Sequence, residues 1–269
     1  MKTTISNDVL SAAIAAVRSQ RPLVHNITNY VVMNNSANAL LAIGASPVMA
    51  HWKDEMEEMT AIAGALVINI GTLDSEWIEG MKAAVVAASR RGTPIILDPV
   101  GAGATSQRTA VAMELIKLCK PTIIRGNGSE IMTVSDALCC DGDSDTKTPK
   151  SKGVDSSAAS TDALEAAKRL AIQSGAVVVI SGETDYITDG HVVHTVEGGS
   201  PIMTSVTGMG CTATALTGAF AAVCEDAMTA AVAAMAVMSE VGERAAVQAH
   251  GNGSMQMHFL DELYNLTDL

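Results

Sequence analysis

The residues from Thr207 to Cys211 combine two glycines with the start of a helix, a pattern that suits anion binding. The letters Thr-Gly-Met-Gly-Cys open an Ala-rich segment. Glycine lets the backbone approach a ligand closely, and free amides at a helix N-terminus, reinforced by the helix dipole, attract phosphate. Gly208 and Gly210 are therefore predicted to form a phosphate site, although a single Gly-x-Gly before a helix is often only a loop.

The same glycines match a second pattern, the dinucleotide-binding fingerprint Gly208-x-Gly210-x-x-Ala213. That alternative is weak, because the fingerprint belongs to a βαβ unit with a later ribose-binding acid, whereas only helical segments follow here. The sequence contains no Walker A motif, so a P-loop site is excluded.

Two carboxylates, Asp98 and Glu130, are candidates for magnesium binding. Asp98 follows the apolar run Ile95–Leu97, and Glu130 comes three residues after Asn127 at a predicted helix start. Carboxylates that face one cleft can hold Mg²⁺ directly or through water. The alternative roles are structural: Asp98 as a turn residue before a proline, and Glu130 as a helix cap.

Polar and glycine residues recur where predicted strands end. In open α/β sheets ligands bind outside the carboxyl ends of the strands, so one shared cleft explains the whole set better than six unrelated turns. The strand-end segments are 25–29, Met49, 69–72, 98–103, 125–130 and 181–183.

These residues must be positioned by short β-rich runs that alternate with longer helical segments. The alternation predicts an α/β fold with an open, mostly parallel sheet and helices on both faces. A hairpin around Asp189-Gly190 and three consecutive helices from Cys211 onward are also expected. The predicted strands are 22–24, 46–48, 64–70, 94–97, 122–124, 176–180, 186–188 and 191–195, and the earlier helices are 31–43, 75–90 and 107–118.

Length and charge bound the class of protein. The 269 residues are expected to form a single domain, 1–269. The formal net charge of −12 leaves no basic surface for nucleic acid. The longest apolar run, near Ala227–Met238, is too short to cross a membrane.

Five cysteines without a Cys-x-x-Cys spacing favour a reducing compartment over a disulfide framework or a zinc site. The N-terminal residues do not resemble a secretory signal, so the expected location is the cytoplasm. The polar stretch Cys139–Thr161, with the adjacent Cys139 and Cys140, is predicted to be a solvated surface loop rather than a functional lid.

Six segments taken together resemble the hydroxyethylthiazole kinases of thiamine salvage. The resemblance covers nearly the whole chain in order, and the stretch after Leu138 matches least well. The segments are Val-His-Asn-Ile-Thr-Asn at 24–29, Gly-Ala-Ser-Pro-Val-Met at 44–49, Ile-Gly-Thr-Leu at 70–73, Leu-Asp-Pro-Val-Gly-Ala-Gly at 97–103, Ile-Arg-Gly-Asn at 124–127 and Thr-Gly-Met-Gly-Cys at 207–211.

The resemblance implies a ribokinase-like fold, ATP and Mg²⁺, and transfer of phosphate to the side-chain hydroxyl of 4-methyl-5-(2-hydroxyethyl)thiazole. It also implies a homotrimer whose thiazole sites are shared between neighbouring subunits. Carried over to this chain, Met49, Gly208 and the weaker candidate Asn26 would contact the thiazole. On the nucleotide side, Arg125 and Ser181 would contact ATP beside the Gly210 phosphate site, and Asp98 and Glu130 would organise Mg²⁺. Ser181 departs from the more familiar Thr but keeps the hydroxyl.

Cys211 distinguishes this chain from the wider superfamily, in which this position usually carries an Asp that accepts the proton of the attacking hydroxyl. The thiazole kinases resemble this chain in having Cys. An ordinary thiol is mostly protonated near neutral pH, although a helix N-terminus can lower its pKa. Phosphoryl transfer depends chiefly on positioning and charge neutralisation, so we expect a minor catalytic share for Cys211, with packing against substrate as the alternative.

Three other functions remain to be weighed against a thiazole kinase. A kinase of another small alcohol, such as a hydroxymethylpyrimidine, and a hydro-lyase of hydrated nicotinamide cofactors are both disfavoured by Cys211 in place of Asp. A binding protein without activity would be expected to lack Asp98 and Glu130, which are present.

Overall fold

The protein is built on one nine-stranded sheet, in the order β1-β9-β8-β7-β6-β5-β4-β2-β3. The structure is a computed structural model and describes residues 1–139 and 156–269, with side chains for 1–139 and 161–269. The strands are β1 (Lys2–Thr3), β2 (Leu23–Ile27), β3 (Ser46–Val48), β4 (Ala65–Asn69), β5 (Ile95–Asp98), β6 (Ile123–Asn127), β7 (Val177–Ser181), β8 (Thr184–Thr188) and β9 (Val193–Glu197).

The helices lie between these strands and after the last one. They are α1 (Asn7–Gln20), α2 (Met33–Ile43), α3 (Met56–Ile62), α4 (Ser75–Arg91), α5 (Ser106–Cys119), α6 (Gly128–Cys139), α7 (Ser156–Ser174), α8 (Met209–Ala221), α9 (Ala227–Gln248) and α10 (Asn252–Asn265), with short 3₁₀ helices at Lys53–Glu55 and Pro201–Ser205.

Strands β2 to β7 pair in parallel, and β8, β9 and β1 add antiparallel pairs at one side. The mostly parallel sheet predicted from the alternating pattern is therefore confirmed, as are the hairpin and the three helices from residue 209 onward. Crossover helices must cover such a sheet, because parallel strands are joined only through long connections.

Alternate residues of each strand point to opposite faces, so the sheet has two apolar layers. A front layer packs helices α1, α2, α8, α9 and α10 against Val67, Ile96 and Val179. A back layer packs α4, α5, α6 and α7 against Leu66, Leu97 and Val178. Almost uninterrupted burial of β4, β5 and β6 follows from this double cover.

Strands β2 and β6 extend furthest beyond their predicted ends, from residue 24 to 27 and from residue 124 to 127. Strand β2 continues through His25 and Asn26, and β6 continues through Arg125 to Asn127, because these polar side chains find partners or burial at the end of the sheet. The candidate site residues therefore lie partly on strands rather than in loops.

The predicted loop at 139–161 is wrong at both ends. Cys139 is the last residue of α6, and α7 begins at Ser156, so the Ala- and Ser-containing end of this stretch is helical. Residues 140–155, with Cys140, lie outside the described residues. In the described parts of the chain, no helix combines the length and the apolar character needed to cross a membrane.

Candidate active site

The candidate site lies at the carboxyl ends of β5, β6 and β7, which are neighbours in the sheet. Asp98 ends β5, Ser181 ends β7, and Arg125 is the third of the five residues of β6. The N-terminus of α8, with Gly208 as its cap residue, covers the same edge. Five of the predicted residues thus surround one place, which we call the cradle: Asp98, Arg125, Ser181, Gly210 and Cys211.

Asp98 is the acidic residue of the cradle and is deeply buried, with 1% of its surface exposed. Its Oδ2 accepts hydrogen bonds from Asn69 Nδ2 at 2.9 Å and from Thr214 Oγ1 at 2.7 Å. Burial raises its pKa to about 6, although the charge of Arg125 and both hydrogen bonds act in the opposite direction. The carboxylate is therefore held ionised near neutral pH at an energetic cost.

Arg125 links the two sides of the cradle. Its Nε donates to Ser181 Oγ at 3.0 Å, and its Nη1 lies 4.0 Å from Asp98 Oδ2. A Cβ on Gly210 would lie 2.9 Å from the same Nη1, so the guanidinium fits against the first turn of α8 only because residue 210 is glycine. A cation at a helix N-terminus opposes the helix dipole, and a bound phosphate would be attracted by both.

Gly208 has a different reason to be glycine. Its φ of +85° is in the left-handed region, and a Cβ there would lie 2.7 Å from Val32 Cγ1. The left-handed turn ends the preceding segment and starts α8 at Met209. The two glycines therefore serve separate needs, backbone geometry at Gly208 and space for a side chain at Gly210.

Glu130 acts as a cap and as a brace between two loops. Its Oε2 accepts from the backbone N–H of Asn127 at 2.9 Å, and Asn127 Oδ1 accepts from the N–H of Glu130 at 2.9 Å. Its Oε1 accepts from Gly101 N at 2.8 Å, which ties the loop after β5 to the start of α6. The capping role that the sequence offered as an alternative is present.

The two carboxylates, Asp98 and Glu130, could hold magnesium mainly through water molecules. Both Glu130 oxygens already accept backbone hydrogen bonds, so their remaining lone pairs suit a water-mediated contact. Within 1–139 and 161–269, no group of three His, Cys, Asp or Glu side chains could enclose a metal ion. This donor set suits Mg²⁺, which usually keeps several waters and is shared with substrate phosphates.

Cys211, the third residue of α8, is half-buried. Burial and the charge of Asp98 raise the pKa of its thiol, while hydrogen bonds from Asn69 and Asn29 and the charge of Arg125 act the other way. Asn29 Nδ2 lies 3.5 Å from the sulfur. A helix N-terminus can lower the pKa of a thiol, but here burial and the charge of Asp98 outweigh that effect. The thiol is therefore protonated at neutral pH.

Sequence reasoning missed three polar residues that organise the cradle. Asn29 Nδ2 donates to Asn69 Oδ1 at 2.9 Å, Asn69 in turn donates to Asp98, and Thr214 donates to Asp98 from α8. All three are buried. Asn29 and Asn69 stood among the strand-end residues, and Thr214 could have been found because it lies one helical turn beyond Gly210 and Cys211.

Arg108, on α5, was also missed. Its Nη1 donates to the carbonyl oxygens of Ile70 and Val100, both at 2.8 Å, and its Nη2 donates to Gly71 O at 3.0 Å. One guanidinium thus holds the loops after β4 and β5 together. Nothing in the local sequence marks a surface-helix arginine for this role.

Met49 and Asn26 stand apart from the cradle. Met49 follows the edge strand β3 and is half-buried. Asn26 is 1% exposed, and its Nδ2 donates to Val24 O at 3.0 Å, while its Oδ1 has no partner among the described residues. No hydrogen bond between described residues joins either side chain to the cradle.

A groove of about 250 Å³ opens beside Ser181, at the end of the cradle away from Met49. Asp185 on its flank accepts a hydrogen bond from Gly182 N at 3.0 Å, and burial raises the pKa of this carboxyl to about 6. The groove is lined by Gly128, Ala163, Ile180, Ser181, Gly182, Glu183, Thr184 and Tyr186.

Comparison with known proteins gives a consistent answer over almost the whole chain. The model of the hydroxyethylthiazole kinase family matches residues 14–268. A hydroxyethylthiazole kinase from Syntrophus aciditrophicus is 54% identical over 257 residues, which cover 96% of this chain and 92% of that protein.

Solved structures agree with the sequence comparison. The hydroxyethylthiazole kinase protein of Pyrococcus horikoshii OT3 superposes with a TM-score of 0.86 at 39% identity, covering 96% of this chain and 94% of that one. A ribokinase-like superfamily protein from Enterococcus faecalis V583 has a TM-score of 0.67 at 14% identity, with 97% and 93% covered. The predicted ribokinase-like fold is confirmed, and the chain belongs to the hydroxyethylthiazole kinase family.

Proposed function

We propose that this protein transfers the γ-phosphate of ATP to the side-chain hydroxyl of 4-methyl-5-(2-hydroxyethyl)thiazole, a reaction of thiamine salvage. The observation that carries the proposal is the position of the Arg125 guanidinium at the N-terminus of α8, between Asp98 and Ser181. The positive charge of the guanidinium and the positive end of the α8 dipole meet at one place, where they would neutralise the negative charge of a phosphoryl group.

In this proposal Arg125, Ser181 and Gly210 contact the nucleotide, and the groove beside Ser181 receives the rest of ATP. The Ser181 hydroxyl fixes Arg125 through Nε, and the Nη atoms, of which Nη1 lies 4.0 Å from Asp98 Oδ2, can face phosphate. Asp98 keeps the guanidinium oriented from the other side. Mg²⁺, which would supply charge neutralisation between phosphates, would be held by Asp98 and Glu130, largely through water.

The acceptor alcohol lies on the Cys211 side of the cradle, where Gly208 and Met49 contact the thiazole and Asn26 is a weaker candidate. A protonated thiol is a poor proton acceptor, so Cys211 contributes chiefly by holding the hydroxyl in line with the phosphate. Asp98 is the nearest ionised acid, and its network with Asn69 and Asn29 reaches the thiol.

The protein is proposed to work as a cytoplasmic homotrimer with shared thiazole sites. Large apolar side chains in the loops after β2 and β3 are exposed: Tyr30 by 61%, Val31 by 65% and Trp52 by 65%. Exposed apolar patches commonly mark association surfaces. Sedimentation of the purified protein tests this point, because a fully active monomer would contradict shared sites.

The test of activity is a coupled assay with ATP across a panel of hydroxyalkyl heterocycles that includes a hydroxymethylpyrimidine. The thiazole alcohol is expected to be the best substrate, and chelation of divalent metal is expected to abolish the reaction. Activity that survives chelator, or a clear preference for the pyrimidine, would overturn the assignment. A hydro-lyase would be revealed by turnover of hydrated NADH in the same preparation.

A further inference from the structure

The four residues 49–52, here called the Met49 segment, connect β3 to the 3₁₀ helix at Lys53–Glu55 without regular hydrogen-bonded structure. Such a connection does not hold its own shape, so its position depends on what it contacts. Three contacts from neighbouring elements reach its backbone or its rings: His25 from β2, and Trp77 and Gly80 from α4.

His25 is the polar contact. The side chain is fully buried, and its Nε2 lies 2.9 Å from the carbonyl oxygen of Ala50. A carbonyl can only accept, so Nε2 carries the proton and donates it. Burial lowers the pKa of His25, against the hydrogen bond to Ala50 and the charge of Glu55, so the ring is neutral.

Gly80 and Trp77 provide the packing contacts. Gly80 lies inside helix α4, where glycine costs about 1 kcal/mol relative to alanine. A Cβ at this position would overlap the carbonyl oxygen of His51, so the segment packs directly on the helix backbone. The rings of His51 and Trp77 lie 4.7 Å apart, and Tyr30 packs on Trp77 at 4.3 Å.

We infer that His25 is a positioning residue for the thiazole alcohol: its N–H to Ala50, together with Gly80, fixes the segment that presents Met49 to the substrate. This inference rests on the proposed function, since Met49 is a thiazole contact only there. The described hydrogen bond of the His25 side chain goes to the Met49 segment and not to the cradle. Loss of the bond should therefore affect recognition of the alcohol and spare the nucleotide.

The first test compares His25→Leu with His25→Gln. Leucine removes the donor at similar volume, whereas the glutamine amide can place an N–H near the position of Nε2. We expect His25→Leu to raise KM for the thiazole alcohol about tenfold, with kcat and KM for ATP within about twofold, and His25→Gln to restore most of the difference. Equal increases in both KM values, or no rescue by glutamine, would overturn the inference.

Gly80→Ala provides an independent perturbation that leaves the buried ring intact. The added methyl must displace His51 and the segment, although alanine favours the helix. It is expected to give the same signature, a raised KM for the alcohol alone. Leu10→Ala, in the front layer of the fold, is the control for lost stability and should leave both KM values unchanged.

A measurement without turnover separates this inference from the proposed reaction. Both tryptophans of the chain report on the region, since Trp52 belongs to the segment and Trp77 packs against His51. Release of the segment in His25→Leu and Gly80→Ala should increase acrylamide quenching, with His25→Gln close to wild type. If the wild-type protein phosphorylates no thiazole alcohol, the proposed function fails, yet the quenching still tests the positioning. Unchanged quenching in both variants would refute it.

Discussion

The cradle and the Met49 segment are attached to the same sheet in opposite ways. In the cradle, the carboxylate of Asp98 is 1% exposed and accepts two hydrogen bonds while facing Arg125. The Met49 segment receives one side-chain hydrogen bond from a neighbouring strand, from His25, and otherwise depends on packing, and its own Trp52 is 65% exposed. One region is interlocked by polar contacts, and the other is bordered by open apolar surface.

The difference matches the role proposed for each region. Charge stabilisation requires fixed dipoles and charges, and a single chain can supply these through β5, β6, β7 and α8. Recognition of a small apolar heterocycle requires an enclosed apolar surface, which residues at an edge strand cannot supply alone. The contrast therefore agrees with the proposal of a nucleotide site within one chain and a thiazole site completed by a neighbour.

The largest effect is expected from Arg125→Ala. Removal of the guanidinium takes away the proposed phosphate contact and leaves Asp98 as a buried charge without its counter-ion. A cation at this place is worth about 10³- to 10⁵-fold in related reactions, so kcat/KM for ATP should fall by at least about 10³-fold. Arg125→Lys should recover only part of this, because lysine cannot bond Ser181 and phosphate in a fixed fork. A loss confined to KM for the alcohol would erase the contrast between the two regions.

Asp98→Asn should lower kcat by about 10²-fold and yet stabilise the fold at neutral pH. The native pKa of about 6 lies above the ordinary value of 3.8, so the native state binds the extra proton between these values. Wild-type stability therefore falls as pH rises from about 4 to about 6, by about 3 kcal/mol from this group. Urea unfolding of variant and wild type at pH 4 and pH 7 measures the difference.

Asp226, which caps α9, is the control for that experiment. Burial of its carboxyl is outweighed by hydrogen bonds from Thr229 and Met228, so its pKa is lowered. Asp226→Asn should therefore lose stability relative to wild type as pH rises from acid to neutral, the opposite trend. Parallel trends in the two variants would show that the burial cost assigned to Asp98 is wrong.

Cys211→Ala should have a smaller effect. Because the raised pKa keeps the thiol protonated, its removal should lower kcat by less than about 10²-fold, the low end of what general-base assistance provides. Cys211→Asp should retain or raise kcat, since it supplies an acceptor beside Arg125. A large increase in KM without a gain in kcat would instead assign Cys211 to packing against the thiazole.

The smallest effect is expected from Met49→Leu. The exchange conserves volume, and the two imidazole hydrogen bonds here, from His25 to Ala50 O and from His51 to Met49 O, do not involve the Met49 side chain. KM for the thiazole alcohol should therefore change by about threefold or less, with kcat constant. Steady-state kinetics at saturating ATP checks this, and a kcat effect as large as that of Cys211→Ala would place Met49 in the cradle after all.

The sequence predicted the sheet well because its signals are local. Periodic apolar residues and glycine or proline boundaries define the strands and helices around β4, α4 and β5, and parallel connectivity then determines which strand ends meet. The hairpin of β8 and β9 was found from Asp189-Gly190 for the same reason. The Ser-rich residues at the start of α7 were mistaken for loop, because composition there hides the helical pattern.

Individual residues of the candidate site could be predicted only where they belong to a recognisable sequence motif. Gly210 was recognised, but the reason for it, the Arg125 guanidinium that would overlap a side chain, depends on β6 lying opposite α8. Arg108 and Thr214 were missed because their partners are distant in sequence. The sequence predicted a mostly protonated thiol at Cys211 but left the direction of its pKa shift open, because burial and the charge of Asp98, which outweigh the helix position, depend on the fold.

The residues of the two apolar layers come from different parts of the sequence, and this difference implies an order in which the layers can form during translation. Buried residues of the back layer come from one continuous stretch, from Ile27 to Ile180. The front layer joins Leu10 of α1 to Leu266 beyond α10. A nascent chain can therefore bury the back layer once the residues up to Ile180 have emerged, whereas the apolar side of α1 stays uncovered until α8 and α9 follow. During that interval, the apolar sides of α1 and α2 are exposed to chaperones and to aggregation.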